Sequence, residues 1–188
     1  EDHPEPAMLA QYADADDDMF DDYFEHNDNW RVRCAALETL GQLEPATLAQ
    51  HAFAVVARLE DSGDECVREA ALETLGKLEP ATLAQHAFAV VAMLEDSVYF
   101  NARTVALETL AKLEPMTLAQ HAFAVVAMLE DSDYDLRKVA LETLGKLEPA
   151  TLAQHASAVV ARLEDSERDV REMALETLGR LRPATLAQ

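Results

Sequence analysis

Leu72-Glu-Thr-Leu-Gly-Lys-Leu-Glu-Pro-Ala-Thr-Leu-Ala-Gln-His-Ala-Phe-Ala-Val-Val-Ala-Met-Leu-Glu-Asp-Ser97 decides the fold, because the chain writes it again. Leu107 to Ser132 repeats it with changes only at Gly76/Ala111 and Ala81/Met116. Working outward, the string Leu-Glu-Thr-Leu begins at Leu37, Leu72, Leu107, Leu141 and Leu175, at intervals of 35, 35, 34 and 34 residues. A fixed period of this length marks an array of supersecondary units, each burying its apolar face on its neighbours. Copies this uniform come from recent duplication or from a consensus-style design.

Two helices fill each unit. Helix A is expected over about 66–78, where Val67, Ala71, Leu75 and Leu78 share one stripe at helical spacing. Gly76 and the Leu-Glu-Pro after it close the helix, because the residue before a proline avoids the α region and makes Glu79 a corner. Pro80 then suits the first turn of helix B, where its missing N–H is no loss. Helix B is expected to continue to about Glu95 and to bury Leu83, Ala87, Val90, Val91 and Leu94. Ser132-x-x-Asp135 and Ser166-x-x-Asp169 read as capping boxes for the next helix A.

The phrase Asp169-Val170-Arg171 with Ala174-Leu175, Leu178-Gly179 and Leu181 resembles a HEAT-like repeat, of the short kind also found beside phycobilin lyases. The resemblance covers about residues 30–188 and recurs five times. It implies an all-α fold, an α-solenoid of stacked antiparallel helix pairs, and a protein-binding scaffold. It does not imply lyase activity: no chromophore-site pattern accompanies it, and fold does not fix function. The 34-residue period with Ala-Leu-Glu-Thr is also similar to the DNA-reading repeats of plant-pathogen effectors, but the helix order and the base-reading glycine loop do not match.

Charge points the same way. The net charge is −21, and residues 1–28 alone hold eleven Asp/Glu and no Lys/Arg. Nucleic-acid affinity rests on neutralising phosphates with Lys and Arg, so no nucleic-acid partner is expected. Such charge favours a basic protein or peptide as partner, or simply solubility. The longest apolar stretches, such as Ala87 to Leu94, are too short to cross a membrane, and no basic-then-apolar signal segment opens the chain. Cys34 and Cys66 occupy different repeat positions and read as free thiols, which fits a cytoplasmic protein.

Several columns invite a site. His51, His86, His121 and His155 recur once per helix B. Helices pack about 8–10 Å apart while zinc needs ligands about 2 Å away, so packing explains them better than a metal. Arg33, Arg68, Arg103, Arg137 and Arg171 recur in helix A and read as structural ion pairs with nearby acids, including the Asp before the Val-Arg pair. Asp14, Asp16, Asp18 and Glu25 fit four positions of a calcium loop, but Met19 stands where the turn needs glycine. Glu5 to Ala13 instead copies the opening of helix B, so residues 1–29 read as an acidic half-repeat cap and 30–188 as the array, ending in a truncated repeat. Phe53, Phe88 and Phe123, with Ser157 in the fourth copy, are either packing between B helices or an apolar ladder on the helix-B face, the concave one in HEAT-like arrays, with packing slightly favoured.

The most informative variation lies in the B-to-A loops. One column reads Trp30, Glu65, Phe100, Tyr134, Arg168, in repeats otherwise alike almost letter for letter. Phe100 displaces the acidic residue expected three after Ser97 and so gives up a cap, a broken local rule that points to function. Trp, Tyr and Arg are the side chains that dominate interface hot spots. The expectation is a non-enzymatic scaffold, without cofactor or metal, that binds a protein or peptide through Trp30, Tyr99, Phe100, Tyr134 and Arg168. Two other readings stand beside it: an acidic chaperone or nucleic-acid mimic using residues 14–28, and head-to-tail self-association through open repeat ends.

Overall fold

The computed structural model describes residues 30–60, 65–96 and 100–181, the side chains of Asp96 and Phe100 excepted. No strand occurs among these residues. In chain order, α1 (30–40) is followed by α2 (Pro45–Leu48) and α3 (Ala52–Val56), and α4 (Glu65–Leu75) by α5 (Pro80–Leu83) and α6 (Ala87–Asp96). Then come α7 (Phe100–Leu110), α8 (Pro115–Leu118) and α9 (Ala122–Ala127). The last are α10 (Tyr134–Leu144), α11 (Pro149–Gln154), α12 (Ala156–Ala161) and α13 (Arg168–Gly179). Thus α1, α4, α7, α10 and α13 are the A helices, and the segments between them are the B helices.

A helices stack on A helices: α4 on α7, α7 on α10, and α10 on α13. Each B helix also packs on the A helix that follows it, α3 on α4 through α12 on α13. The core is therefore a continuous seam. Leu72, Leu75, Leu107, Leu110, Leu141 and Leu144 enter it from the A side, and Leu83, Leu118 and Leu152 from the B side, all fully buried. The first leucine of Leu-Glu-Thr-Leu is covered by the repeat that comes next, which is why Leu175, in the last described A helix, stays 61% exposed. At about 25 cal/mol per Å² of apolar surface, each such leucine contributes roughly 1.5–3 kcal/mol at a junction.

Three local details differ from the expectation. Helix B is not continuous: a 3₁₀ turn at Ala84–His86 separates α5 from α6, and Ala49–His51 and Ala119–His121 repeat it. Leu83, His86, Ala87, Val90 and Leu94 all reach the interior, while Val91 is only half-buried. Second, neither expected capping box forms. Asp133, not Ser132, caps α10, its Oδ1 accepting from the N–H of Asp135 (2.8 Å) and of Leu136 (3.4 Å). Glu167 stands in the same place before α13 and makes no side-chain cap.

Third, the glycines do not end the A helices by a left-handed turn. No glycine among the described residues has positive φ, and Gly145 stays helical at φ −62°, ψ −13°. Their reason is approach. A Cβ on Gly41 would lie 2.8 Å from Nζ of Lys77, and one on Gly76 2.6 Å from Nζ of Lys112. At Gly145 the cation is Arg180, whose Nη1 donates to the Gly145 carbonyl at 2.9 Å. Each glycine lets a cation of the next repeat reach the negative end of the A helix. The extended Glu79 (φ −58°, ψ 143°) before Pro80 makes the corner as expected, and every B helix opens on its proline.

Candidate binding surfaces

The recurrent polar residues are mostly joints. In three repeats the threonine of Leu-Glu-Thr-Leu donates to the first leucine carbonyl of the preceding one. Thr74 bonds Leu37 at 3.0 Å, Thr109 bonds Leu72 at 3.2 Å and Thr177 bonds Leu141 at 3.2 Å, while Thr143 bonds Val139 in its own helix at 2.8 Å and lies 3.5 Å from the Leu107 carbonyl. All four threonines are 1% exposed. Thr39, exposed, bonds the carbonyl of Ala35 in its own helix instead, at 2.7 Å. Sequence reading passed over this seam, although a hydroxyl held constant among core leucines was its signal.

The arginine column is also a joint, with a different partner from the one expected. Arg103 pairs with Asp131, and Arg137 grips Asp165 with a fork, Nε to Oδ2 at 2.9 Å and Nη2 to Oδ1 at 2.7 Å. The acid is the loop Asp of the following repeat, 28 residues on, and not the one beside the arginine in sequence. Arg137 Nη1 also donates to the carbonyls of Asp131 and Ser132, and Arg171 Nη1 to those of Asp165 and Ser166. The Arg137 hydrogen bonds hold the Asp165 carboxyl below its ordinary value despite burial, and Asp165 in turn raises the guanidinium. A charged group so fully engaged within the stack has little left for a partner.

Histidines of the B helices are likewise packing residues. His86, His121 and His155 are buried, and each meets the phenylalanine of the preceding repeat edge to face. The ring centroids are 5.1 Å apart for Phe53–His86, 5.0 Å for Phe88–His121 and 5.1 Å for Phe123–His155. Burial pushes His86 and His121 below the ordinary imidazole pKa. The phenylalanines themselves are not interior: Phe53 and Phe88 are 79% exposed and Phe123 80%. The slight preference for buried packing is thereby corrected. One edge contact leaves most of each ring in water, because the position lies opposite the buried stripe of helix B.

The variable column falls in one place. Tyr134 and Arg168 are the first residues of α10 and α13, and Trp30, Glu65 and Phe100 hold the equivalent repeat position in α1, α4 and α7. Trp30 is half-buried against the core, with the Arg31 guanidinium 5.4 Å from its ring centroid. Tyr134 is exposed, and the neighbouring Asp135 carboxylate raises its hydroxyl pKa. Arg168 is exposed and bonds Glu172 at 2.6 Å, one helical turn on. Tyr99, the Phe100 side chain, the Asp14–Glu25 calcium reading, the 1–29 cap, the acidic 14–28 segment and the truncated last repeat lie outside the described residues.

Among the described residues no group of three or more His, Cys, Asp or Glu could hold a metal ion, and no helix is long and apolar enough to cross a membrane. Cys34 is half-buried and Cys66 exposed, and no disulfide joins the two.

Stacked helix pairs with a polar seam and a leucine core define an α-solenoid. The family model for HEAT repeats matches residues 123–188. The same unit, with the same joints, extends back along the all-helical stack, and the chain is a HEAT-like repeat protein. Such repeats commonly serve as scaffolds for protein–protein interaction. A search of curated proteins finds no match to the chain.

Proposed function

We propose that this chain is a non-enzymatic protein-binding scaffold whose partner docks along the edge of B-to-A loops and A-helix starts, contacting Trp30, Tyr99, Phe100, Tyr134 and Arg168. One observation carries the reading. Where the repeats are otherwise near copies, one repeat position carries Trp30, Glu65, Phe100, Tyr134 and Arg168; Tyr134 and Arg168 open α10 and α13, and because A helices stack on A helices, equivalent positions share one edge. The constant Thr, Arg and His columns are engaged in joints, so specificity has to come from positions that vary. Large aromatic and Arg side chains on a rigid frame supply contact area at small entropic cost.

The test is a selection of peptides from a displayed library against the full chain, followed by affinity measurement on Phe100→Ala/Tyr134→Ala. A loss of at least about tenfold, with unchanged circular dichroism, is the expected result. Selected peptides that bind the variant equally well refute this edge.

A further inference from the structure

The phenylalanine ladder serves none of the joints just described beyond its edge contacts. Three rings in register over three repeats, each about four-fifths exposed, form an apolar row of a kind monomers seldom leave bare. Seven residues after each ring stands an exposed glutamate: Glu95 lies about two turns along α6 from Phe88, Glu130 in the 3₁₀ turn after α9, and Glu60 in the turn after α3. The glutamates are not equivalent. Arg162 of the fourth repeat reaches back to Glu130 at 3.0 Å. In the second and third repeats Met93 and Met128 occupy that arginine's position, and among the described residues Glu60 and Glu95 make no ion pair.

We infer that Phe53, Phe88 and Phe123, with the free carboxylates of Glu60 and Glu95, form a docking strip for a basic amphipathic α-helix of a partner protein. Neighbouring helices in a stack lie about 8–10 Å apart, so the rings recur at that interval across the repeats. An α-helix returns to nearly the same face every seven residues, after about 10.5 Å, and matches the row with one apolar side chain per ring. An extended strand returns after about 6.7 Å and falls out of register. The helix is also about 10–12 Å thick with its side chains, enough for Lys or Arg on its flank to reach the glutamate row. Charge selects against a second copy of this chain, which would lay glutamates on glutamates in a molecule already at −21. The edge contact with His86, His121 or His155 holds each ring in place, so little side-chain freedom remains to be lost on docking. The strip is distinct from the A-helix edge.

An 18-residue Lys/Leu peptide with leucines in a heptad line is titrated against the full chain by fluorescence anisotropy at low and moderate salt. Phe53→Ser/Phe88→Ser/Phe123→Ser should weaken it at least tenfold. Ser157 already occupies this position in the fourth repeat, so the fold tolerates the change, and circular dichroism verifies that it does. Glu60→Gln/Glu95→Gln should weaken binding several-fold and flatten its salt dependence, while Phe100→Ala/Tyr134→Ala leaves it within twofold. Two results overturn the inference: affinity within twofold in the folded triple variant, or equal binding of a peptide with every Leu changed to Ala, which would show attraction to net charge alone.

Discussion

Replacing Asp165 with alanine removes one side of the clamp between α10 and α13. In the native chain Arg137 Nε and Nη2 hold the carboxylate at 2.9 and 2.7 Å, with side-chain exposures of 10% and 4%. Deleting one partner of a buried pair costs about 3–5 kcal/mol, because the other charge stays buried without its counterion. The lower end applies, since Nη1 keeps the carbonyls of Asp131 and Ser132 at 2.9 and 3.1 Å. Loss of the Glu167 N–H bond to Asp165, 3.0 Å long, adds about 1 kcal/mol. At about 2–4 °C per kcal/mol for a chain of this size, the melting midpoint should fall by about 8–16 °C. Repeats couple only to their neighbours, so the loss is local: hydrogen-exchange protection in α13 should drop before that in α7. Arg137→Lys keeps the charge without the fork and should lose roughly half as much. Arg137→Leu/Asp165→Leu should recover most of the loss, because two apolar groups leave no orphan charge. A midpoint for Asp165→Ala within about 2 °C of the parent chain, in circular-dichroism melts, would refute the assignment of this pair as a joint.

Thr109→Val should cost about 1 kcal/mol in urea titration, the value of one buried hydrogen bond, because the Leu72 carbonyl keeps its helical bond from Gly76. Gly76→Ala should be close to neutral in the same assay. The gain of about 1 kcal/mol in helix propensity is offset by pushing Lys112 off the helix end, and Ala111 shows the exchange is tolerated. Acid should destabilise the chain in two stages. His86 and His121 have folded pKa values below 6.5, so their contribution is complete above 6.5 and is lost as pH falls through the folded values. Asp165, also depressed, contributes above 3.8 and loses that contribution below it. Melting curves from pH 8 to 3 check both stages, and His86→Leu/His121→Leu should remove the first. Arg168→Ala should leave the melting midpoint unchanged, since an exposed i,i+4 pair with Glu172 adds little.

Much of this was legible in the sequence. The period gave the repeat, the apolar stripe named the core leucines, and Glu79-Pro80 marked the corner between helices. These features are local, within one turn or one helix, where side-chain spacing and backbone sterics suffice. Partners across repeats were not legible. The arginine was assigned to an acid near it in sequence, yet its partner stands 28 residues away, because stacking carries the next loop over the guanidinium. Ser132-x-x-Asp135 satisfied the capping pattern, but the Ser132 carbonyl is taken by Arg137 and the helix starts one residue later.

The sequence by itself determined that this protein is an array of helix pairs, since near-identical apolar stripes at a fixed period are buried by stacking each unit on the next. It also determined where the copies differ, chiefly at Trp30, Phe100, Tyr134 and Arg168. Only the tertiary structure decided which constant residues are joints and which face water. Thr109, Arg137 and His121 recur along the array as Phe88 does in three of the copies, yet stacking buries the first three and leaves the phenylalanine 79% exposed. The physical reason is that burial in a solenoid is set by the neighbouring repeat. A residue's place on its own helix fixes its direction, and the distance and tilt of the next helix pair fix what it meets there.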